Sequence, residues 1–286
     1  MSDGTLSSRT PIAPQRVLSS VVEQQEVAPG YYRLTLSAPI IAGAARAGQF
    51  VHVLPRPSGE GGWQATPTFD PLLRRAFSIM RVAGEQIEIL YRAGGKGTQL
   101  MTRWDKGDRA DLLGPLGLGF GDFATHNVLV GGGVGVPPMV MLAARGRTES
   151  RACTALIGAR SAQDVLCEAD FDALGTPFEV ATENGSRGKQ GRVTASLLRH
   201  LASDNASQTK IFACGPLPML RAVAQLCAQY GVACEVSMEE AMPCGVGVCN
   251  GCVVPMLQGS DDYGLYRRIC IEGPVLSAAE VDWERI

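Results

Sequence analysis

The sequence predicts a β domain followed by an α/β domain and a short cysteine-rich module: an N-terminal antiparallel β-barrel, a doubly wound α/β sheet and a small C-terminal appendage. Three observations predict it. Short alternating or apolar runs split by Gly and Pro fill the first part of the chain, as in small antiparallel barrels. From Asn127 onward strand-like and helix-like runs alternate, the signature of a doubly wound sheet. Four cysteines, Cys244, Cys249, Cys252 and Cys270, crowd the last stretch. The expected boundaries are a tail over 1–14, the barrel over 15–124, the α/β domain over 125–237 and the module over 238–286.

A chain of 286 residues suffices for two domains and a module, and 45% hydrophobic residues support full cores. The net charge of −2 gives no reason to expect nucleic acid or an anionic membrane as partner. No run reaches the roughly 20 apolar residues that span a bilayer. The N-terminus, M-S-D-G-T-L-S-S-R-T, lacks an apolar core and reads as a frayed tail rather than a signal peptide. Five further cysteines, Cys153, Cys167, Cys214, Cys227 and Cys234, are scattered among apolar neighbours and read as small buried hydrophobes. An odd remainder favours a reducing, cytoplasmic setting.

In the barrel, R-V-L-S-S-V-V-E, Y-Y-R-L-T-L-S, G-Q-F-V-H-V-L-P, R-A-F-S-I-M-R-V and Q-I-E-I-L-Y-R-A read as strands, with a Pro- and Gly-rich loop from Pro55 to Pro71. T-Q-L-M-T-R-W reads as a helix, and Gly114-Pro115-Leu116-Gly117 as the closing turn. In the second domain N-V-L-V is a strand, and P-P-M-V-M-L-A-A-R is a helix with prolines in its first turn. T-A-L-I-G-A-R follows as a strand, then S-A-Q-D-V-L-C-E-A-D-F as one helix capped by Ser161. P-F-E-V-A-T, K-I-F-A-C-G-P and V-A-C-E-V-S are the remaining strands; T-A-S-L-L-R-H-L and L-P-M-L-R-A-V-A-Q-L-C-A-Q-Y are the helices between them.

The chemistry concentrates in four places. Cys244, Cys249 and Cys252 at C-x4-C-x2-C spacing, with distant Cys270, follow the plant-ferredoxin pattern of [2Fe–2S] ligands. Gly245, Gly247 and Gly251 let such a loop wrap closely. Structural zinc uses four cysteines too, usually as two C-x2-C knuckles, and disulfides are a third reading. In the barrel, Arg75-Ala76-Phe77-Ser78 offers a phosphate-binding cation, a flat ring and a hydroxyl along one strand. Leu90-Tyr91-Arg92 and a glycine-rich turn carrying Gly97 and Thr98 offer backbone N–H groups to a pyrophosphate. Singly these are a solvated face and a turn; together they point to a flavin.

Ligands of doubly wound sheets bind at strand carboxyl ends. There lie Gly131, Gly132, Gly133 and Gly135, then Cys214-Gly215-Pro216. The first stretch lacks G-x-G-x-x-G and could be a mere tight turn; its pairing with Cys-Gly-Pro points to a nicotinamide nucleotide. Glu183 ends another strand, where a carboxylate accepts from a ribose hydroxyl and repels a 2′-phosphate, favouring NAD. Arg187, Lys189 and Arg192 argue the reverse, and Glu183 could be only a loop charge. His52, His126 and His200 form no ligand pair and read as structural or surface residues.

Flavin barrel, nicotinamide domain and C-terminal cysteine loop in this order resemble the ferredoxin–NAD(P) reductase superfamily. Within it the chain is similar to the electron transfer subunits of type B dihydroorotate dehydrogenases, from about Val17 to the C-terminus. The residues that carry the resemblance are Arg75 to Ser78, Gly97-Thr98, Gly131 to Gly135, Cys214-Gly215-Pro216, Met242-Pro243-Cys244-Gly245-Val246-Gly247-Val248-Cys249-Asn250-Gly251-Cys252 and Cys270-Ile271-Glu272-Gly273-Pro274-Val275. Phe77 stands where related reductases often have tyrosine, and Pro243 where the family often has alanine.

The resemblance implies FAD contacts from Arg75 to Ser78, Leu90 to Arg92, Gly97 and Thr98, and a [2Fe–2S] cluster on the four cysteines. It implies a relay in pyrimidine biosynthesis from the FMN of a dihydroorotate dehydrogenase catalytic subunit, through cluster and FAD, to NAD+, in a heterotetramer of two chains of each kind. Ser78 is the candidate donor to the flavin nitrogen that exchanges hydride. Cys214 is a candidate wall of the nicotinamide pocket, or a packed small residue. Two alternatives stand beside this: an NAD(P)H-dependent reductase subunit serving a ferredoxin, hydrogenase or oxygenase, and a zinc-stabilised interaction module that is no enzyme.

Overall fold

The computed structural model describes residues 13–57, 70–202, 206–260 and 264–286. The expected tail through residue 12 and most of the Pro- and Gly-rich loop, 58–69, lie outside the described residues.

The first domain comprises β1 (Gln15–Ala28), β2 (Tyr31–Ser37), α1 (Pro39–Ala44), β3 (Phe50–Leu54), β4 (Arg75–Ser78), β5 (Arg81–Ala83), β6 (Gln86–Arg92), α2 (Lys96–Met101) and β7 (Arg109–Leu116). Its strands form one sheet in the order β4-β3-β7-β1-β2-β6-β5. Every pairing is antiparallel. Leu34 and Leu36 on β2, Ile87 and Ile89 on β6 and Val51 and Val53 on β3 put alternate side chains into one core, as period-2 patterning requires. The sheet curls until Phe77 of β4 and Tyr91 of β6 stand 5.7 Å apart, a half-barrel rather than a closed one.

Two readings change here. R-A-F-S-I-M-R-V is not one strand. Ile79 N–H donates to Gln49 O and Met80 N–H to Glu88 O, so the run crosses between the two sheet edges, leaving β4 on β3 and β5 on β6. Gly114-Pro115-Leu116 is no closing turn but the end of β7. The β1 ladder stops at Gln15 opposite Gly114 and the β3 ladder shifts register between Leu113 and Leu116, so the N–H that Pro115 lacks has no ladder partner to lose.

The second domain comprises β8 (His126–Gly132), α3 (Pro137–Thr148), β9 (Ala152–Ala159), α4 (Glu168–Leu174), β10 (Phe178–Thr182), β11 (Lys189–Gln190), α5 (Val193–Leu201), β12 (Thr209–Cys214), α6 (Leu217–Tyr230) and β13 (Ala233–Ser237). The strands are parallel in the order β11-β10-β9-β8-β12-β13. This is a doubly wound sheet whose order reverses at β8. The helix expected over 161–171 is split. A short 3₁₀ turn spans Ala162–Asp164, Leu166 packs into the core, and Cys167 at φ +66° precedes α4. Ser161 Oγ bonds Asp164 Oδ2 at 2.9 Å instead of capping a helix.

The C-terminal stretch adds β14 (Val253–Ser260), β15 (Gly264–Arg268), α7 (Ile269–Glu272) and β16 (Val275–Ser277). It is stitched to its neighbour: β16 runs antiparallel to β13, Ser237 opposite Val275 and Glu235 opposite Ser277. Val254, Met256 and Ile269 share a core with Val236 and Leu276. The half-barrel meets the α/β domain through Asp170 of α4, 5% exposed, which accepts from Arg33 at 2.6 Å and from Arg81. Among the described residues no helix is long and apolar enough to cross a membrane.

Candidate functional site

A cleft of about 600 Å³ opens between β4, β6, the start of α2 and the ends of β8, β12 and β13. Arg75, Ala76, Phe77, Ser78, Leu90, Tyr91, Arg92, Thr98, Gly135 and Cys214 all line it. Gly97 lies just behind, where a Cβ would stand 3.4 Å from Arg75 Nε and 2.9 Å from Pro55 Cγ. Buried Tyr91 stacks on Tyr32 at 5.6 Å and donates its O–H to Gln24 Oε1 at 2.9 Å; burial raises its pKa, so it stays a phenol. The Thr98 hydroxyl accepts from the N–H groups of Gly94 and Gly95 and donates to Gly95 O at 3.0 Å. It is therefore spent on shaping the glycine turn rather than free for a ligand.

Sequence reasoning missed part of this cleft. Ser237, Glu239, Glu240, Ala241, Met242 and Pro243 line it too. The available signal was position: the run Met238 to Pro243 leaves the carboxyl end of β13, where doubly wound sheets bind ligands.

A second cleft, about 400 Å³, lies at the carboxyl ends of β8, β9, β10 and β12. Gly132, Gly133, Glu183, Gly215 and Pro216 line it, as do Arg160 and Arg192. Arg92, Val134 and Glu239 line both clefts, so the two adjoin. Gly131 does not reach the opening; a Cβ there would meet Val136 at 2.9 Å. Gly135 packs on the Cys214 backbone with no room for a side chain. Of the cations near Glu183, Arg187 and Lys189 pair with Glu168 and Glu179 at 2.9 and 2.8 Å, and Arg192 remains at the cleft. Burial pushes the Cys214 thiol up, a hydrogen bond from Ser237 offsets this in part, and the result is about 12. Cys214 is thus a neutral wall residue, not a nucleophile.

The four C-terminal cysteines fall into two pairs. Cys244 lies within hydrogen-bond reach of Cys249, and Cys252 of Cys270. Cys252 and Cys270 are buried, Cys244 half-buried and Cys249 exposed. Backbone N–H groups point at the sulfurs: Val246 at Cys244 and Gly251 at Cys249, each 3.4 Å away. Burial raises the Cys244 pKa, but the N–H groups of Val246, Val248 and Cys249 outweigh it and hold the thiol at about 6. Gly245 and Gly247, at φ +72° and +76°, give the loop its reversals. Among the described residues no three His, Cys, Asp or Glu groups converge as a single ion requires. Two thiol pairs with amide donors around them suit two irons, each taking two thiolates.

Of the three histidines read as structural or surface residues, His52 is fully buried on β3. Burial, with the Arg74 guanidinium nearby, pushes its pKa down to about 4, so the ring is neutral.

Residues 239–282 match the iron–sulfur cluster binding domain of dihydroorotate dehydrogenase B, and residues 129–225 the oxidoreductase NAD-binding domain. The dihydroorotate dehydrogenase B (NAD(+)) electron transfer subunit of Geobacillus thermodenitrificans is 38% identical over 268 residues, covering 92% of this chain and 96% of that one. The chain belongs to this family. The electron transfer subunit of Desulforamulus reducens is 36% identical over 262 residues, 90% of this chain and 95% of its own. Solved structures share the fold of the family member described here. A structure of NADH-dependent reduced ferredoxin-NADP oxidoreductase superimposes with a TM-score of 0.78 at 23% identity, covering 94% of this chain and 91% of that one. A ferredoxin NADP+ reductase from Neisseria gonorrhoeae with bound FAD and NADP superimposes with a TM-score of 0.58 at 16% identity, over 79% of this chain and 93% of that one.

Proposed function

We propose that the chain carries electrons from the FMN of a dihydroorotate dehydrogenase catalytic subunit to NAD+ in pyrimidine biosynthesis, through a [2Fe–2S] cluster on Cys244, Cys249, Cys252 and Cys270 and through FAD. The observation that carries this reading is adjacency. The cleft bounded by Arg75 to Ser78 runs at one side into Met242 and Pro243, next to Cys244, and at the other shares Arg92, Val134 and Glu239 with the nucleotide cleft. When bound, the cluster supplies one-electron carriage and the flavin exchanges single electrons for hydride.

The residues divide the remaining work. Arg75 neutralises pyrophosphate charge, and the amides of the turn around Gly97 and Thr98 donate to the same group. Phe77 packs on a flat ring, and Ser78 donates a hydrogen bond to the flavin nitrogen that exchanges hydride. Gly132, Gly133, Gly215 and Pro216 leave space for the dinucleotide, Glu183 accepts from its ribose, and Cys214 walls the nicotinamide. Val248, 78% exposed beside exposed Cys249, turns the cluster loop towards the partner, in a cytoplasmic assembly of two chains of each kind.

The test is co-expression with an FMN-containing dihydroorotate dehydrogenase and an assay of dihydroorotate-driven NAD+ reduction. The expected result is turnover in the assembled complex and its loss, with FAD retained, in Cys249→Ser. Turnover that survives loss of the cluster would overturn the proposal. A stable complex and NADH-driven reduction of a ferredoxin instead would favour the reductase-subunit alternative.

A further inference from the structure

His52 sits in the middle of β3, opposite Ala76 of the flavin-cleft strand β4, and is 0% exposed. Its ring tilts against Phe50, centroids 5.7 Å apart. Neither Nδ1 nor Nε2 has a hydrogen-bond partner. A neutral imidazole carries one N–H donor and one acceptor nitrogen. Burying such groups unsatisfied is destabilising, and an apolar residue would fill the site between Val51 and Val53 without that cost. Packing alone therefore does not account for a histidine.

The ring's free edge shows what it faces. The position a Cβ would take on Gly245 lies 2.5 Å from His52 Cε1, 2.8 Å from Nδ1 and 3.0 Å from Nε2. The whole N–C–N edge thus presses on the backbone of the residue that follows Cys244. Gly245 is at φ +72° and has no side chain to hold the ring away. Among the described residues none accepts from this edge. The acceptors missing from it are those the iron–sulfur group brings, its sulfides and metal-bound thiolates.

We infer that His52 donates a ring N–H to a sulfur of the cluster, at Cys244 or a bridging sulfide, and so acts as a positioning residue that raises the cluster's reduction potential. A donor aimed at sulfur stabilises the extra negative charge of the reduced state, and hydrogen bonds to sulfur are among the determinants of such potentials. The placement of β3 also makes His52 the bridge between the flavin strand and the cluster loop: one ring fixes the loop against the strand that borders the flavin cleft. The inference rests on the reading of the four cysteines as cluster ligands.

The test uses the full chain, with ¹⁵N-histidine incorporated and the cluster reduced for pulsed electron paramagnetic resonance. The chain has three histidines; His126 opens β8 and His200 lies on α5, outside the cluster module. A weak histidine-nitrogen coupling in the wild type, lost in His52→Phe together with a shift to a more negative midpoint potential, is expected. His52→Asn places an amide N–H near the Nδ1 position and His52→Gln near Nε2, so restoration of the potential by one of them identifies the donating nitrogen. A wild-type cluster without nitrogen coupling overturns the inference, even if His52→Phe fails to fold. So does a potential that His52→Phe leaves unchanged. Absence of iron and acid-labile sulfide from the folded wild type would instead strike the cluster reading itself.

Discussion

Gly135 and Cys214 meet through their backbones: the Cα of Gly135 faces the Cys214 carbonyl so closely that a Cβ would overlap it. The contact holds together the turn after β8 and the turn after β12, whose Gly133 and Gly215 line the nucleotide cleft. Gly135→Ala must push one turn away, and overpacking of this kind costs about 1–3 kcal/mol. The expected outcome is a rise of roughly tenfold in KM for NADH, about 1.4 kcal/mol, with flavin and iron content unchanged. Steady-state diaphorase kinetics with a dye acceptor would check it.

Ser78 is the only hydroxyl in Arg75-Ala76-Phe77-Ser78 and lines the cleft it shares with Cys214. Ser78→Ala is expected to slow flavin reduction by NADH about tenfold, the loss of one hydrogen bond of roughly 1.4 kcal/mol in the transition state. FAD content should not change. Stopped-flow absorbance under anaerobic conditions separates the two, and an unaltered rate would remove Ser78 from the hydride step.

Asp170 joins the domains by accepting from both Arg33 and Arg81. Asp170 is buried, but both arginines are partly exposed and Arg81 also reaches Glu88 at 3.7 Å, so removing the carboxylate costs about 1–3 kcal/mol, short of the loss from a fully buried pair. Asp170→Ala should lower the urea midpoint accordingly, and slow flavin reduction as the half-barrel loosens against the nucleotide domain. Equilibrium unfolding followed by flavin release measures the first effect.

Glu179 is the centre of a surface cluster with Lys189, Arg199 and His200. Burial raises its pKa, but the hydrogen bonds from those three groups prevail and hold the carboxyl at about 2, below its usual 4.5. A depressed carboxylate stabilises the fold above its unfolded pKa and loses that contribution as pH falls through the folded one. The melting temperature of wild type should therefore exceed that of Glu179→Gln above about pH 4.5, with the gap closing towards pH 2. High salt should shrink the gap.

What was legible in the sequence was local. The C-x4-C-x2-C spacing, the glycine stretches and the period of each strand or helix depend on neighbouring residues, and the structure brings Arg75 to Ser78 into one cleft with Cys214. What escaped depends on long-range pairing. Nothing near Pro115 announces that β7 continues through it; that follows from where the β1 ladder ends. The fates of Arg187 and Lys189 are decided by Glu168 and Glu179, distant in the chain. Burial of His52 against Gly245 joins positions that no spacing rule connects.

The pairing of Val275 to Ser277 with β13 gives the cysteine segment a second duty as a hem. Peeling it back would bare the outer amide row of β13, an open edge that recruits other chains. Damage to the iron site would then be felt as aggregation of the nucleotide domain as well as loss of redox traffic. A shortened chain ending near Ser237 would not yield a clean reductase core unless that border were covered by another strand.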